Sequence, residues 1–247
     1  MAQGRVPKGS PHGGVYSRNR NPESTVDLSS AVLPDELVKK MPPGTSQTWL
    51  KIAPLLPGSA YLSGGTALTV HLLHRVSRDL DIFLERPEDL QRLWIQFQDV
   101  GEARATQHDD STITCVIDDT KVQVLDAATL KIVSPFITVG GMRVASVNDI
   151  LAMKLKVIVD RGELRDYFDI MKIEEGCQIM AETGLAHFIE KYSPAQPDQC
   201  IRSIVVALGS LNGVEDDPAL PVSRKAIEDY WMKRQRSLMK HIAMFGG

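Results

Sequence analysis

A pair of glycines near residue 65 stands where a protein chain would bind phosphate. Gly64 and Gly65 lie between a short apolar, strand-like segment and a helix-like segment that begins near Thr66. Glycine lets the backbone approach a phosphate closely, and the first N–H groups of a helix are free to bind an anion. Ser63 and Thr66 add hydroxyl donors. A tight turn would use the same glycines, so this pair alone leaves both interpretations open.

Two aspartates one residue apart have the chemistry of a metal site. Because successive side chains of a strand point to opposite faces, Asp79 and Asp81 share one face and Leu80 turns into the core. Two carboxylates on one face repel each other unless a cation lies between them, and Mg²⁺ prefers hard oxygen ligands. Salt bridges to Arg75 and Arg78 are the structural alternative. The order strand, two glycines, helix, and strand with paired aspartates is more specific than either half and indicates nucleotide binding.

The elements that must position these residues follow from the apolar pattern. Strand-like segments recur through the first half of the chain, at 60–62, 79–85, 101–107, 112–117 and 121–127. From Ser146 the pattern is helical to the end of the chain. We therefore expect a flexible tail over residues 1–30, an α/β core over 31–145 and a helical region over 146–247.

Composition restricts the class of protein. With 247 residues, of which 43% are hydrophobic and 24% charged, the chain can bury a sizeable core. The net charge of −3 excludes a simple polycation, although residues 222–247 carry six basic and two acidic residues, as a phosphate-binding or merely solvated helix would. Three scattered cysteines favour a reducing compartment without a zinc site, and no apolar run is long enough to span a membrane. We expect a cytoplasmic protein.

Two blocks of sequence resemble a known group of enzymes. The glycines, the helix and the paired aspartates look like the active-site signature of the DNA polymerase β-type nucleotidyltransferase superfamily. Within it, GGTAL…HRVSRDLDIF and AMKLKVIVDRGELRDYFDI (152–170) resemble the AbiEii/MenT nucleotidyltransferases, toxins of type IV and related toxin–antitoxin systems. The matching core covers about residues 45–175. The resemblance implies an α/β fold in which a mixed sheet with flanking helices precedes an α-helical C-terminal domain.

The resemblance implies a nucleotide-binding set around the glycines. Its members are Ser63, Gly64, Gly65, Thr66, Arg75, Arg78 and Asp166. Many relatives carry Ser in place of Gly65, so one hydroxyl is missing here, and Ser63 or Thr66 is expected to replace it.

The resemblance also implies a catalytic set and its metal. Asp79 and Asp81 would hold Mg²⁺ or Mn²⁺, Lys154 would contact the triphosphate, and Asp169 would be the later acidic residue of the family. The superfamily often has a third metal carboxylate on a neighbouring strand, and Asp126, at the end of KVQVLD, fits that place by spacing. Ion pairs on a solvated helix are the structural alternative for the second block.

The expected reaction is the attack of a hydroxyl on the α-phosphate of an NTP, with release of pyrophosphate. The family suggests the 3′ end of tRNA as acceptor, a block of translation and growth as consequence, and a cognate antitoxin encoded nearby as partner. Two alternatives stay open: transfer of NMP to a small molecule or a protein side chain, and a nucleotide-binding interaction module whose catalysis has lapsed. Nothing in the sequence identifies the NTP.

Overall fold

The computed structural model describes the backbone of residues 32–245 and the side chains of residues 32–241. The predicted tail over residues 1–30 lies outside the described residues. The helices of the described range are α1 (Asp35–Val38), α2 (Pro43–Ile52), α3 (Gly64–Leu72), α4 (Leu90–Gln98), α5 (Val147–Asp160), α6 (Leu164–Cys177), α7 (Ala181–Tyr192), α8 (Pro197–Leu208) and α9 (Arg224–Phe245). Short 3-10 turns cover Ala53–Leu55 and Pro87–Asp89.

A mixed sheet of seven strands is the centre of the fold. The strands are β1 (Ala60–Ser63), β2 (Leu80–Leu84), β3 (Ala103–His108), β4 (Thr112–Ile117), β5 (Thr120–Asp126), β6 (Ile137–Val139) and β7 (Met142–Val144). Their order is β3-β4-β5-β2-β1-β7-β6. β2 is antiparallel to β1 and parallel to β5, and β1 is parallel to β7. The strands β1, β2 and β5 are therefore neighbours in space, with β2 between the other two.

The two faces of the sheet differ in what covers them. On β2 the side chains of Leu80, Ile82 and Leu84 are fully buried, while the alternate residues Asp81 and Phe83 are only half-buried. The buried face packs against α2 and α4, which contact β5, β4 and β3. The other face is open beside β2 and β5, where it is lined by Asp81, Phe83, Lys121, Gln123 and Leu125.

The helices after the sheet pack on one another and on α3. α5 is the central helix of this group, with α3, α6, α7 and α8 in contact with it. Its N-terminus is capped by Ser146, whose hydroxyl accepts the N–H of Asp149 at 3.1 Å, as the sequence predicted. α6 begins with a capping box formed by Glu163 and Asp166. The Ser146 cap fixes the start of α5, and the capping box fixes the start of α6, which directly follows the C-terminal end of α5.

The predicted fold class, a mixed sheet with flanking helices followed by a helical C-terminal part, is confirmed. One local difference matters for the site: α3 begins at Gly64 and not near Thr66, so both glycines belong to its first turn. The division into domains at residues 145 and 146 stays a prediction. No helix in the described part of the chain has the length and apolar character needed to cross a bilayer.

Candidate active site

A cavity of about 720 Å³ opens on the exposed half of the sheet. Its floor is formed by β2 and β5, and one end is formed by the first turn of α3. The C-terminal half of α5 and the start of α6 form a wall, and Asp217, Ala219 and Leu220 of the loop between α8 and α9 complete the lining. The glycine turn and the paired aspartates therefore border one space.

The two glycines are required by close contacts. Gly64 has a φ of +71°, and a Cβ there would collide with the carboxylate of Asp81. A Cβ on Gly65 would lie 2.6 Å from the guanidinium of Arg75 and 3.2 Å from the hydroxyl of Ser77. The glycines thus let a carboxylate, a guanidinium and a hydroxyl approach the start of α3.

Ser63 and Thr66, expected to supply hydroxyls to the phosphates, do not line the cavity. Both are fully buried. The Ser63 hydroxyl points to the sulfur of Met153 at 3.1 Å, and the Thr66 hydroxyl donates to the carbonyl oxygen of Asp79. At the end of β1 and in the first turn of α3 these side chains face the core. The structure therefore does not place the two predicted hydroxyl donors in the cavity. The hydroxyl that does border the cavity beside Gly65 belongs to Ser77.

Asp79 and Asp81 have no partner in the structure. Neither carboxylate forms a hydrogen bond or ion pair with another residue in the range 32–241. Burial, together with the charge of Asp79, raises the pKa of the Asp81 carboxyl. The structural alternative, in which Arg75 and Arg78 neutralise the pair, does not hold, because Arg75 is bound to another carboxylate and Arg78 forms no ion pair within the described range. The pair is left with unsatisfied negative charge that faces the cavity.

That other carboxylate is Asp169, which is fully buried on α6 and binds three basic side chains. Arg75 donates two hydrogen bonds to it at 2.6 and 2.8 Å, and Lys154 lies 2.7 Å away. His74 is also hydrogen-bonded to it at 2.8 Å. Burial alone would raise the pKa of Asp169, but Lys154, Arg75 and His74 outweigh burial and hold it well below its usual value. Asp169 does not line the cavity, so its contacts position Arg75 and Lys154, which do.

Lys154 reaches the cavity with its charge already paired. Its ammonium group lies 2.7 Å from an oxygen of Asp166 and 2.7 Å from an oxygen of Asp169, and the residue is 7% exposed. Burial would lower the pKa of Lys154, but the carboxylates of Asp169 and Asp166 reverse the effect and raise it. Asp166 lines the cavity and also accepts the N–H of Glu163 in the capping box. The predicted residues of the second block are therefore brought beside the first block as one ionic cluster.

Asp126 is not brought to the paired aspartates, and its prediction as a third metal ligand is wrong in geometry. Asp126 lies opposite Leu84, which is three residues after Asp81 on β2. Because side chains alternate along a strand, an odd number of residues places Asp126 on the face opposite to that of Asp81. Its carboxylate accepts the N–H of Ala128 at 2.8 Å. The residue beside Asp81 on β5 is Gln123.

The donors at the cavity floor are nevertheless of the kind that binds a divalent cation. In the part of the chain that the structure describes, no three or more His, Cys, Asp or Glu residues form a group that could hold a metal ion. Asp79 and Asp81 offer unpartnered carboxylate oxygens, and Gln123 offers a neutral amide oxygen. Mg²⁺ is commonly bound by one or two carboxylates together with substrate phosphates and water. The residues present fit that type of site.

Comparison with known proteins bears on the same segment. Residues 52–141, which include the glycines and the paired aspartates, match the family model described as nucleotidyl transferase AbiEii toxin, type IV toxin–antitoxin system. The predicted family resemblance is confirmed. An uncharacterized protein of Aquifex aeolicus (strain VF5) is 29% identical over 113 residues, which make up 44% of this chain and 55% of that protein. The match thus spans about half the length of that relative.

The chain is also similar to two solved structures. One is a candidate nucleotidyltransferase from H. pylori, with a TM-score of 0.47 and 15% identity over 86% of this chain and 99% of that chain. The other is MenT4, a nucleotidyltransferase toxin from Mycobacterium tuberculosis H37Rv, with a TM-score of 0.48 and 14% identity over 78% of this chain and 88% of that chain.

Several cavity residues of this AbiEii-like segment were missed by the sequence reasoning. They are Ser77, Phe83, Lys121, Gln123 and Leu125. Phe83 follows Asp81 by two residues, and Lys121, Gln123 and Leu125 alternate along β5. The alternation along each strand predicts that the residues of each set share one face. Only the parallel pairing of β2 with β5 shows that the two sets form one cavity floor.

The basic C-terminal segment is not a free phosphate-binding surface throughout. Arg234 of α9 pairs with Glu174 at 2.8 Å and with Glu182 at 2.5 Å, and its side chain is 15% exposed. Arg224 and Lys225 pair with acids one helical turn later. Three of the six basic residues counted there are thus paired, and Arg234 joins α9 to α6 and α7.

Proposed function

We propose that this protein is a metal-dependent nucleotidyltransferase that transfers NMP from an NTP to the 3′ end of tRNA. The observation that carries the proposal is the placement of the glycine turn and two unpartnered aspartates in one cavity with basic side chains. An NTP brings negative charge and Mg²⁺ or Mn²⁺ to the same space. The triphosphate supplies anions for the glycine end, and the cation supplies the charge that Asp79 and Asp81 lack.

At the glycine end, the start of α3 offers free N–H groups to the β- and γ-phosphates. The hydroxyl of Ser77 and the guanidinium of Arg78 lie along the same wall. Arg75 and Lys154 contribute fixed positive charge that Asp169 and Asp166 hold in place. Positioned donors of this kind stabilise the charge that develops on the leaving pyrophosphate.

Further along the floor, Phe83 and Leu125 are neighbours on β2 and β5. Both are half-buried, and Phe83 stacks on Tyr61 with ring centroids 5.6 Å apart. This apolar surface suits the ribose and base of the nucleotide. The α-phosphate then lies over Asp79 and Asp81, where a bound divalent ion would act as a Lewis acid and activate the acceptor oxygen.

The consequences beyond the reaction belong to the same proposal. Modification of the tRNA 3′ end would block translation and growth, so the protein acts as a toxin in the cytoplasm. A cognate antitoxin encoded nearby would restrain it. The AbiEii family match supports this part of the proposal.

The test is incubation of the full chain with each labelled NTP, Mg²⁺ and one acceptor pool: tRNA, total protein or a panel of small hydroxyl compounds. We expect label on tRNA and release of pyrophosphate. Asp81→Asn should abolish transfer, because the loss of a cation ligand costs several kcal/mol of transition-state stabilisation, and it should also restore growth of cells that express the protein. Label on protein or on a small compound would replace tRNA as the acceptor, and NTP binding without any transfer would indicate a lapsed enzyme.

A matched control separates the role of Lys154 from that of its ion pairs. Lys154→Arg keeps the charge for Asp166 and Asp169, whereas Lys154→Ala removes it. Loss of one charge-assisted donor in a fixed site should lower kcat/KM by about 10²-fold or more. Equal kcat/KM in wild type and Lys154→Ala would show that this lysine is structural.

A further inference from the structure

Lys121 and Gln123 lie beside the paired aspartates on the neighbouring strand. β2 and β5 are parallel, with Leu80 opposite Val122 and Asp81 opposite Gln123, so that Lys121 comes next to Asp79. Lys121 and Gln123 both line the cavity. Lys121 is exposed, and within residues 32–241 no carboxylate lies at ion-pair distance from it, although its charge acts on Asp81 at longer range and partly offsets the rise of that pKa. It differs in this respect from Lys154, whose charge is already paired.

The order of strands sets out the cavity in three parts. The glycine turn follows β1, Asp81 lies on β2 with Asp79 just before it, and Lys121 and Gln123 lie on β5; the spatial order is β1, β2, β5. Adjacent strands are about 4.8 Å apart. The aspartates are therefore between the glycine turn and Lys121, and a group bound over them has one neighbour on each side.

Phosphoryl chemistry gives these two sides different roles. The attacking oxygen and the leaving oxygen must lie roughly in line through the phosphorus. If the β- and γ-phosphates occupy the glycine side and the α-phosphorus lies over Asp79 and Asp81, the acceptor hydroxyl has to arrive from the side of Lys121. In that step the hydroxyl oxygen forms a bond to the α-phosphorus, the bond from the α-phosphorus to the bridging oxygen breaks, pyrophosphate leaves with that electron pair, and the hydroxyl proton passes to water.

Arg161 adds positive charge to the cavity wall where α5 ends and α6 begins. It follows α5 and lines the cavity together with Arg165. Both arginines contact the same carboxylate, that of Glu163, so the group retains an excess positive charge. An acceptor that enters from this side meets the unpaired ammonium group of Lys121 and this surplus guanidinium charge.

Building on the proposed function, we infer that Lys121 and Arg161 bind the phosphodiester next to the attacking 3′ hydroxyl of an RNA acceptor, and that Gln123 contacts its terminal ribose. A strand of RNA carries a phosphodiester on the 5′ side of the ribose that bears its 3′ hydroxyl, whereas a hydroxyl of a protein side chain has no fixed anion beside it. The position of the free cation on the attack side therefore favours RNA over protein. It also moves the expected RNA contact from α9 to the active-site cavity.

The test uses the full chain and tRNA and compares single variants of equal charge change. Lys121→Gln should raise the KM for tRNA about tenfold and leave the KM for NTP within about twofold, since one charge-assisted contact to the acceptor is lost. The slope of log KM against log salt should fall by about 0.7 to 0.9 for the lost phosphate contact. Lys121→Arg should restore most of the affinity. Arg161→Gln should change the KM for tRNA in the same direction.

Two further variants serve as controls. Lys233→Gln removes an exposed charge from α9 and should leave both KM values and the salt slope unchanged. Arg78→Gln, on the glycine side, should raise the KM for NTP more than that for tRNA. If wild type modifies tRNA but Lys121→Gln behaves like Lys233→Gln, the inference is wrong while the proposed function holds. If wild type neither binds nor modifies tRNA, both are wrong.

Discussion

The molecule has two closely spaced carboxylate pairs with opposite surroundings. Asp79 and Asp81 lie at the floor of the cavity, whereas Asp166 and Asp169 lie at the start of α6, where Asp169 is buried behind the cavity wall. The first pair has no ion pair or hydrogen bond within the described residues, and burial with mutual repulsion raises the pKa of Asp81. The second pair shares Lys154, and Asp169 also binds Arg75 and His74.

The difference distinguishes carboxylates that can bind a ligand from carboxylates that stabilise the fold. A carboxylate whose cations come from the fold is satisfied before any ligand arrives, and removing it leaves buried positive charge behind. A carboxylate pair that no basic side chain of the fold contacts gains a direct partner only with a ligand, and Lys154, Lys121 and Arg161 act on Asp81 only at longer range. Two further buried acids are neutralised by basic side chains of the fold, as Asp166 and Asp169 are: Asp149 binds Lys191 at 2.8 Å, and Glu174 binds Arg234 at 2.8 Å. Asp79 and Asp81 differ from these acids, because they border the cavity and form no ion pair within the described residues.

The largest expected effect on stability is that of Asp169→Asn. The change leaves Arg75 and Lys154 with less negative charge in a buried place, so the free energy of unfolding should fall by about 3–5 kcal/mol. Because its pKa is lowered on folding, Asp169 contributes fully at pH values above the ordinary aspartate value of about 3.9, and this contribution is lost as the pH falls through the lower folded value. The stability difference between wild type and variant, measured by urea unfolding, should therefore shrink in acid. A difference under about 1 kcal/mol at pH 7 would contradict the supporting role.

A smaller loss of stability is expected for Gly64→Ala. An L-residue with φ near +71° costs about 1–2 kcal/mol, and the new Cβ would displace the carboxylate of Asp81. Transfer activity should fall more than stability does, because the displaced carboxylate is the one expected to hold the cation. Gly58→Ala is the matched control: its Cβ would meet no atom within 4 Å, and it lies away from the cavity. Equal activity in the two variants would argue against a strict requirement for Asp81 in its observed place.

The smallest effect on stability is expected for Asp81→Asn, in contrast to the large loss expected for Asp169→Asn. Removing a charge that the fold does not satisfy should leave the free energy of unfolding within about 0.5 kcal/mol of wild type or increase it. The direct measurement is again urea unfolding at pH 7, without divalent ions and then with Mg²⁺. Added Mg²⁺ should stabilise wild type and not the variant. A large loss of stability in Asp81→Asn would mean that Asp81 has a structural partner and would weaken the contrast between the two pairs.

Local sequence was sufficient for the elements and for the first block of the site. The glycines before α3, the alternation of Asp79, Leu80 and Asp81, and the Ser146 cap each act over a few residues, so their consequences can be derived from spacing. The same local rules failed for Ser63 and Thr66. Both hydroxyls lie close to the glycines in sequence, but packing against α5 and β2 turns them inward.

The sequence by itself determined where the glycine turn, the paired aspartates and the second block stand along the chain, because each is a local pattern of residue types. Only the tertiary structure decided which charges remain free. Strand register placed Gln123 beside Asp81 and turned Asp126 away, and helix packing brought Lys154 and Arg75 to Asp169. Register and packing join residues that are distant in sequence, and the electrostatic state of a carboxylate depends on those neighbours and on its burial.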